Sequence, residues 1–309
     1  MTSTQPDAPR RPISPAEMVQ AVKHLPSAPR VLPRIKNLLS DCNSSMDEIV
    51  TLIRLDPAIA AQVVRVANSV LYGSNANCSA VEEAVGRVGF DQVYELITYS
   101  VASQVLIRSL KVYGIEPDDF WKQNITCALA AEALGKQTGQ DPAMAYTLGL
   151  LHSVGMVVID EWALRHQPSL HLGGEAGIAA SAAREQLQLG FTHAEAGAAL
   201  LQHWGFSAAM CRAMRWQDFP DVAGTSSPMA AILQVAKWVR SAACDPGNPP
   251  VTLPDSLTLD LLSLQANALP AIIAEVVLRL EEISPMLEIE TLVADVPAQA
   301  RFPVDSWKR

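Results

Sequence analysis

The sequence has little that would mark a nucleic-acid-binding protein. Among its 309 residues, 23 are Lys or Arg and 32 are Asp or Glu, so the formal net charge is -9. A protein that binds the phosphate backbone usually carries a basic stripe. The densest cationic stretches are short and interrupted by prolines, namely Arg10-Arg11 and the run Arg30, Arg34 and Lys36. We therefore expect no nucleic-acid partner.

Cysteine is also sparse, and its spacing excludes the common disulfide and zinc patterns. No Cys-x-x-Cys pair occurs, and no apolar segment near residue 1 resembles a secretion signal. This usage is typical of a reducing compartment, so we expect a cytoplasmic protein. The five cysteines are Cys42, Cys78, Cys127, Cys211 and Cys244.

Aromatic residues make up only 6% of the chain and charged residues 18%, whereas hydrophobic residues reach 49%. This composition is globular and lacks the aromatic and β-branched bias of all-β proteins. No long stretch alternates apolar and polar residues, and no glycine-rich phosphate loop of the GxxxxGK[ST] type occurs. The sequence therefore predicts an all-α fold.

One stretch, residues 142–159, has no Asp, Glu, Lys or Arg. Its length reaches the lower limit for a membrane-spanning helix. It also contains polar and small residues that are costly in lipid: Tyr146, Thr147, Gly149, His152, Ser153 and Gly155. We therefore predict a buried core helix and no membrane insertion.

Helix boundaries recur along the chain with clear local signals. Capping boxes, in which a Ser or Thr and a Glu three residues later satisfy each other's free backbone N–H groups, are predicted at Ser45–Glu48, Ser79–Glu82 and Thr192–Glu195. An acceptor followed by proline predicts further helix starts: Asp56-Pro57, Glu116-Pro117, Asp141-Pro142 and Ser227-Pro228. Glycines predict helix ends at Gly89, Gly139 and Gly205. Long helices are expected over 91–110 and 268–287.

Five blocks of this sequence resemble the HDOD family, a relative of the HD metal-dependent phosphohydrolases. They are LPSAPRVLPRIKNLL (25–39), DPAIAAQVVRVANSVLYG (56–73), AVGRVGF (84–90), YTLGLLHSVGMVVI (146–159) and GFTHAEAGAALLQHWGF (190–206). The second block is the most specific. Its residues also have structural interpretations: Asp56 and Pro57 would start a helix, and Asn68 and Ser69 would lie near the end of that helix and bond to its free carbonyls.

The resemblance implies a multi-helix bundle in which an N-terminal helical subdomain packs on an HD-like helical core. The corresponding division of the chain is a flexible tail over 1–14, the N-terminal helical part over 15–115, the HD-like part over 116–245, and C-terminal helices with a tail over 246–309.

The resemblance also implies that the HD metal site is degenerate. His152 keeps the first position of the His-Asp doublet, but Ser153 replaces the aspartate. Lys237 falls where the last aspartate is expected, and its ammonium would repel a dication. At the other positions of this degenerate pocket the expected histidines are replaced by Gln123, Asn124, Trp216 and Gln217. His193 is the remaining histidine candidate.

A pair of histidines without a carboxylate would be a poor phosphohydrolase site. The simpler interpretation is a hydrogen-bonded core histidine for His152 and a helix-start residue for His193. We therefore expect no metal, no other cofactor and no catalytic residue. Ser153 beside His152 does not make a nucleophilic pair, because neighbouring helix residues point about 100° apart.

The sequence leaves three functions open. The first is a non-catalytic signal-transduction module of bacterial regulation that binds signalling proteins, such as receiver, kinase or cyclic-di-GMP-related proteins. The second is a receptor for a small anionic ligand or nucleotide, which would use the degenerate pocket. The third is a residual metal-dependent phosphohydrolase. The sequence leaves the oligomeric state open.

Overall fold

The computed structural model describes residues 13–20, 45–69, 77–89, 109–173, 181–244 and 252–283, together with Leu38 and Val93. In order, the helices are α1 (Pro15–Val19), α2 (Met46–Arg54), α3 (Pro57–Ala67), α4 (Val81–Val88), α5 (Pro117–Thr138), α6 (Pro142–Leu151), α7 (Val154–His166), α8 (Ser181–Leu189), α9 (His193–His203), α10 (Ala208–Arg215), a 3₁₀ turn (Pro220–Ser226), α11 (Ser227–Cys244), α12 (Ser256–Leu261), a second 3₁₀ turn (Ala266–Ala268) and α13 (Leu269–Ile283).

The all-α prediction is confirmed. Within the described ranges no strand occurs, and Leu110 and Ile115 form an isolated antiparallel bridge. The first resemblance block, apart from Leu38, and most of the predicted 91–110 helix lie outside the described residues, as do residues 1–12 and 284–309.

Most predicted helix starts are found where the capping chemistry places them. At α2, the Ser45 hydroxyl accepts a hydrogen bond from the Glu48 backbone at 3.2 Å and the Glu48 carboxylate accepts one from the Ser45 backbone at 3.0 Å. The Thr192 N–H likewise donates to Glu195 at 3.1 Å before α9. Helices α3, α5 and α6 begin with the predicted prolines, and α11 begins at Ser227.

The predicted capping box at Ser79–Glu82 is wrong. Helix α4 begins at Val81 after Ala80, which makes no side-chain cap. The Ser79 backbone N–H instead donates to the carboxylate of Glu83 at 3.3 Å. The helix therefore starts one residue later than the Ser-x-x-Glu spacing predicts, and the acidic partner of Ser79 is likewise one residue further along the chain.

Helix α5 is the central element of the core. Helices α6, α11 and α13 pack against it, while α9 packs between α7 and α10. One cluster of buried hydrophobic residues extends from Met18 in α1 to Leu280 in α13. The apolar segment from Pro142 to His166, with a mean hydropathy of 1.5, is long and apolar enough to cross a membrane, but 83% of its 18-residue apolar window is buried inside the protein. It packs as a core segment of this fold.

Two glycines permit the close helix contacts that position the site. A Cβ on Gly149 of α6 would lie 2.8 Å from the Cys127 carbonyl oxygen of α5. A Cβ on Gly155 of α7 would lie 1.8 Å from the carbonyl oxygen of His193 in α9. Any side chain at either position would collide with the backbone of its neighbour. The break between α6 and α7 is thereby held against both α5 and α9.

Candidate functional site: a buried histidine with a guanidinium partner

His152 and Ser153 lie at a break in the uncharged segment that the sequence predicts as one helix. Helix α6 ends at Leu151 and α7 begins at Val154. The imidazole Nδ1 of His152 is 2.8 Å from the Gly149 carbonyl oxygen, which would otherwise accept the next helical N–H. The prediction of a continuous helix is therefore corrected here, because a side chain competes for the backbone acceptor.

The second ring nitrogen of His152 faces a cation. Nη1 of Arg240 in α11 lies 3.0 Å from Nε2 of His152, and His152 is 1% exposed. Since a guanidinium only donates, Nε2 is the acceptor and Nδ1 carries the proton that bonds to Gly149. Burial lowers the pKa of His152 well below its ordinary value, and the charges of Arg240 and Lys237 lower it further. The ring is therefore a neutral acceptor.

Ser153 and Asn124 form a second buried contact at the break. The Ser153 hydroxyl donates to Oδ1 of Asn124 in α5 at 2.7 Å, and the Asn124 amide donates to the Phe120 carbonyl at 2.7 Å. Gln123 is half-buried one position earlier in α5, about 100° around the helix. Of the two α5 residues named in the sequence, Asn124 contacts the doublet.

Of the two residues Trp216 and Gln217, which follow α10, likewise only one contacts the His152-Ser153 doublet. Gln217 is fully buried, and its amide donates to the His152 carbonyl at 3.1 Å. Trp216 is half-buried, with the Arg215 guanidinium 5.5 Å from its ring centroid. Gln217 therefore supports the backbone of His152, whereas Trp216 contacts the neighbouring surface arginine.

Lys237 of α11 forms an ion pair with Asp218. Burial raises the pKa of the Asp218 carboxyl, but the charges of Lys237 and His193 and the hydrogen bond from Lys237 outweigh it, so the pKa is lowered. The two side chains remain partly exposed, at 16% for Lys237 and 32% for Asp218. The ion pair thus forms the solvent side of the site.

His193 has the carboxylate partner that the sequence analysis did not place. Glu185 of α8 lies 2.9 Å from the His193 ring Nδ1 and accepts its backbone N–H at 2.6 Å. The Tyr113 hydroxyl donates to the same carboxylate at 2.8 Å. The expectation of two histidines without a carboxylate is therefore wrong for His193. Its position as the first residue of α9 is confirmed.

Sequence reasoning missed three residues that contact this site: Glu185, Asp218 and Arg240. Arg240 had a detectable signal, because it is a charged residue in a mostly apolar helix and lies three positions after Lys237, on the same face. Glu185 and Asp218 had none, since each lies in a polar stretch that resembles ordinary surface.

The residues present do not suit the metal that HD hydrolases hold. In the part of the chain that the structure describes, no group of three or more His, Cys, Asp or Glu side chains is arranged to hold a metal ion. The lone pair of His152 Nε2 is already engaged by Arg240. A metal ion there would displace a fixed guanidinium and lie near Lys237, which electrostatic repulsion opposes.

The residues of the most specific resemblance block have structural contacts. Asp56 is fully buried and caps α3 by accepting hydrogen bonds from the backbone of Ala58 at 2.8 Å and Ile59 at 3.0 Å. Pro57 is the first residue of that helix.

Asn68, just after α3, does not bond to free helical carbonyls as expected. Its side-chain Oδ1 accepts a hydrogen bond from the Cys78 backbone N–H at 2.7 Å, and its Nδ2 donates one to the Cys78 carbonyl oxygen at 3.2 Å. This clamp joins the end of α3 to the segment before α4. Ser69 follows, half-buried, and its backbone N–H bonds to Val66 at 3.0 Å.

The fold and the site define an all-α domain with a buried polar cluster where helices α5, α6, α7, α9 and α11 meet. Residues 25–220 match the HDOD domain model, and the chain belongs to that family. The resemblance that the sequence blocks indicated is thus confirmed.

Several known proteins are similar to this chain. An uncharacterized protein of Treponema pallidum (strain Nichols) is 28% identical over 204 residues, covering 65% of this chain and 39% of that protein. The chain thus spans well under half the length of that relative. The crystal structure of the MmoQ response regulator from Methylococcus capsulatus has a TM-score of 0.67 at 21% identity and covers 82% of this chain and 99% of that one. A virulence factor from Campylobacter jejuni has a TM-score of 0.62 at 16% identity, covering 86% and 99%. These structures share the fold.

Proposed function

We propose that this protein is a non-catalytic signalling module that acts by binding protein partners. The observation that carries the proposal is the hydrogen bond from Arg240 to His152 Nε2. In an HD hydrolase the corresponding histidine gives its lone pair to a metal that activates water. In this chain the same lone pair accepts from a permanently protonated group, so the site offers neither a Lewis acid nor a free base there.

The family and the fold support a role in signalling. The chain belongs to the HDOD family, and one solved structure of the same fold is named a response regulator. No receiver or nucleotide-cyclising motif occurs in this sequence. The partners we propose are signalling proteins, such as receiver, kinase or cyclic-di-GMP-related proteins, in the cytoplasm.

Metal analysis and a hydrolysis assay on untagged protein test the absence of catalysis. We expect far less than one bound metal ion per chain after incubation with Mn²⁺ or Fe²⁺ and dialysis, and no cleavage of bis(p-nitrophenyl) phosphate above the metal-only blank. Stoichiometric metal together with cleavage that His152→Ala abolishes would establish the residual phosphohydrolase and refute the proposal.

Partner binding needs a separate measurement. Tagged protein is cross-linked in its native cells, and each enriched receiver, kinase or cyclic-di-GMP-related protein is then purified and titrated calorimetrically against the full chain. We expect saturable binding of at least one such protein. If none binds, the proposed partner class is wrong even where catalysis is absent.

A further inference from the structure

Among the residues that the structure describes, the buried cation Arg240 has no carboxylate partner. The residue is 8% exposed, and in the described part of the chain its one hydrogen bond goes to the neutral imidazole of His152. A guanidinium has five N–H donors, so most of its donor capacity is unused there. A buried charge is costly unless an opposite charge compensates it, and His152 is kept neutral by its surroundings.

The two described carboxylates of this cluster, Asp218 and Glu185, have partners other than Arg240. Asp218 is engaged by Lys237, and Glu185 is engaged by His193 and Tyr113. Each of these acids therefore already has its own partner, and within the described ranges no carboxylate compensates the positive charge of Arg240.

The polar cluster meets the solvent at the Lys237–Asp218 ion pair. Lys237 is one turn before Arg240 on the same face of α11. Both members of the ion pair are partly exposed, whereas Arg240 and His152 are buried. An anion that enters beside Asp218 would meet Lys237 first and Arg240 next.

We infer that Arg240 and Lys237 bind a phosphoryl group, supplied either by free phosphate or by a nucleotide. The planar fork of a guanidinium matches two oxygens of a phosphoryl group, and the ammonium adds a point charge. The ligand would take the place of a carboxylate that this fold does not provide. This inference rests on the proposed function, because it requires a metal-free site.

Isothermal titration calorimetry of the full chain with inorganic phosphate, in a chloride buffer, tests this site. We expect saturable binding by the wild-type protein and loss of binding in Arg240→Met. The matched control is Arg215→Met, which removes the same charge from an exposed arginine that pairs with Glu195, and it should bind phosphate like the wild type. Arg240→Lys should bind roughly ten- to a hundredfold more weakly, because the charge remains but the fork is lost.

The outcomes separate the alternatives. No saturable phosphate binding by the wild type, or equal binding by a folded Arg240→Met, overturns the inference. Circular dichroism and urea unfolding report whether Arg240→Met folds, and Arg240→Lys provides the test if it does not. A nucleoside monophosphate that binds tighter than phosphate identifies a nucleotide ligand, and one that binds no tighter identifies free phosphate.

Metal content and hydrolysis are measured on the same preparations. A metal-bound active protein would refute the proposed function, whereas a metal-free inert protein without phosphate binding would refute this inference alone.

Discussion

The carboxylate of Glu185 holds His193 at two points, through the ring Nδ1 at 2.9 Å and through the backbone N–H at 2.6 Å. The same carboxylate accepts from Tyr113, so one side chain of α8 joins the start of α9 to the segment before α5. Because all three donors are buried, removal of the acceptor leaves them without partners.

Glu185→Gln should lower the free energy of unfolding by about 2 to 4 kcal/mol. The amide removes the negative charge, and its NH₂ group faces one of the three N–H or O–H donors instead of accepting from it. Urea unfolding at neutral pH measures this. Glu161→Gln is the matched control, because Glu161 pairs with Arg165 on the surface of α7, and it should cost about 0.5 kcal/mol or less. Equal effects of the two substitutions would mean that the buried carboxylate contributes no more than a surface ion pair.

The same carboxylate should make the fold sensitive to acid. Burial raises the pKa of Glu185, but the charge and hydrogen bonds of His193 and the hydrogen bond from Tyr113 outweigh it, so the pKa is lowered. A lowered carboxyl pKa stabilises the fold above the unfolded value of about 4.3, and that contribution is lost as the pH falls further. Urea unfolding between about pH 5 and pH 3 should show a steeper loss for the wild type than for Glu185→Gln. Parallel curves would refute the assignment.

His152 should make the stability of the fold depend on pH in a higher range than Glu185 does. Its folded pKa lies well below its ordinary value because of burial and the Arg240 charge. Below about pH 6.5 the unfolded chain binds a proton that the folded chain does not, so stability should fall by about 1.4 kcal/mol per pH unit. His152→Gln should flatten this slope between about pH 6.5 and pH 5.5. His203→Gln, which changes an exposed residue at the end of α9, is the control, and equal flattening of the slope by the two substitutions would refute the prediction.

Local chemistry predicted most of the described helices because a cap needs only residues three positions apart. Ser45–Glu48 and Asp141-Pro142 are examples in which every partner lies within one turn. The break at His152 was not predictable, because it depends on a ring that bonds to Gly149 and is held from behind by Arg240, 88 residues away. Sequence spacing carries no information about such a contact.

The sequence predicted only part of the site, because contacts between residues that are distant in sequence leave no local pattern. The family pattern located His152, Ser153, Asn124 and Gln217, which are in contact in the structure. It could not locate Glu185, since a carboxylate that partners a histidine from another helix has no local signature.

Gly155 should tolerate no side chain. A Cβ there would lie 1.8 Å from the His193 carbonyl oxygen and 2.6 Å from the Gly197 nitrogen, both backbone atoms of α9. Gly155→Ala should destabilise the protein by about 3 kcal/mol or more, because neither backbone can give way without parting α7 from α9. Thermal and urea unfolding measure the loss. Gly86→Ala is the control, since nothing lies within 4 Å of a Cβ at that exposed position in α4, and it should stabilise the helix by up to about 1 kcal/mol.

Restoring the missing aspartate should not restore a metal site. Ser153→Asp completes the His-Asp doublet, but Arg240 still occupies Nε2 of His152 and Lys237 still lies nearby. The new carboxylate also has no proton to donate to Asn124 Oδ1, so the variant should lose about 1 to 3 kcal/mol of stability.

Plasma mass spectrometry after incubation with Mn²⁺ and dialysis should therefore find no more metal in Ser153→Asp than in the wild type. Ser153→Ala is the control for stability, because it removes the hydroxyl that donates to Asn124 without adding charge, and it should cost about 1 kcal/mol. One metal ion per chain in Ser153→Asp would show that a single carboxylate overcomes the repulsion from Arg240. The exclusion of metal would then depend on the serine and not on the guanidinium that now holds His152.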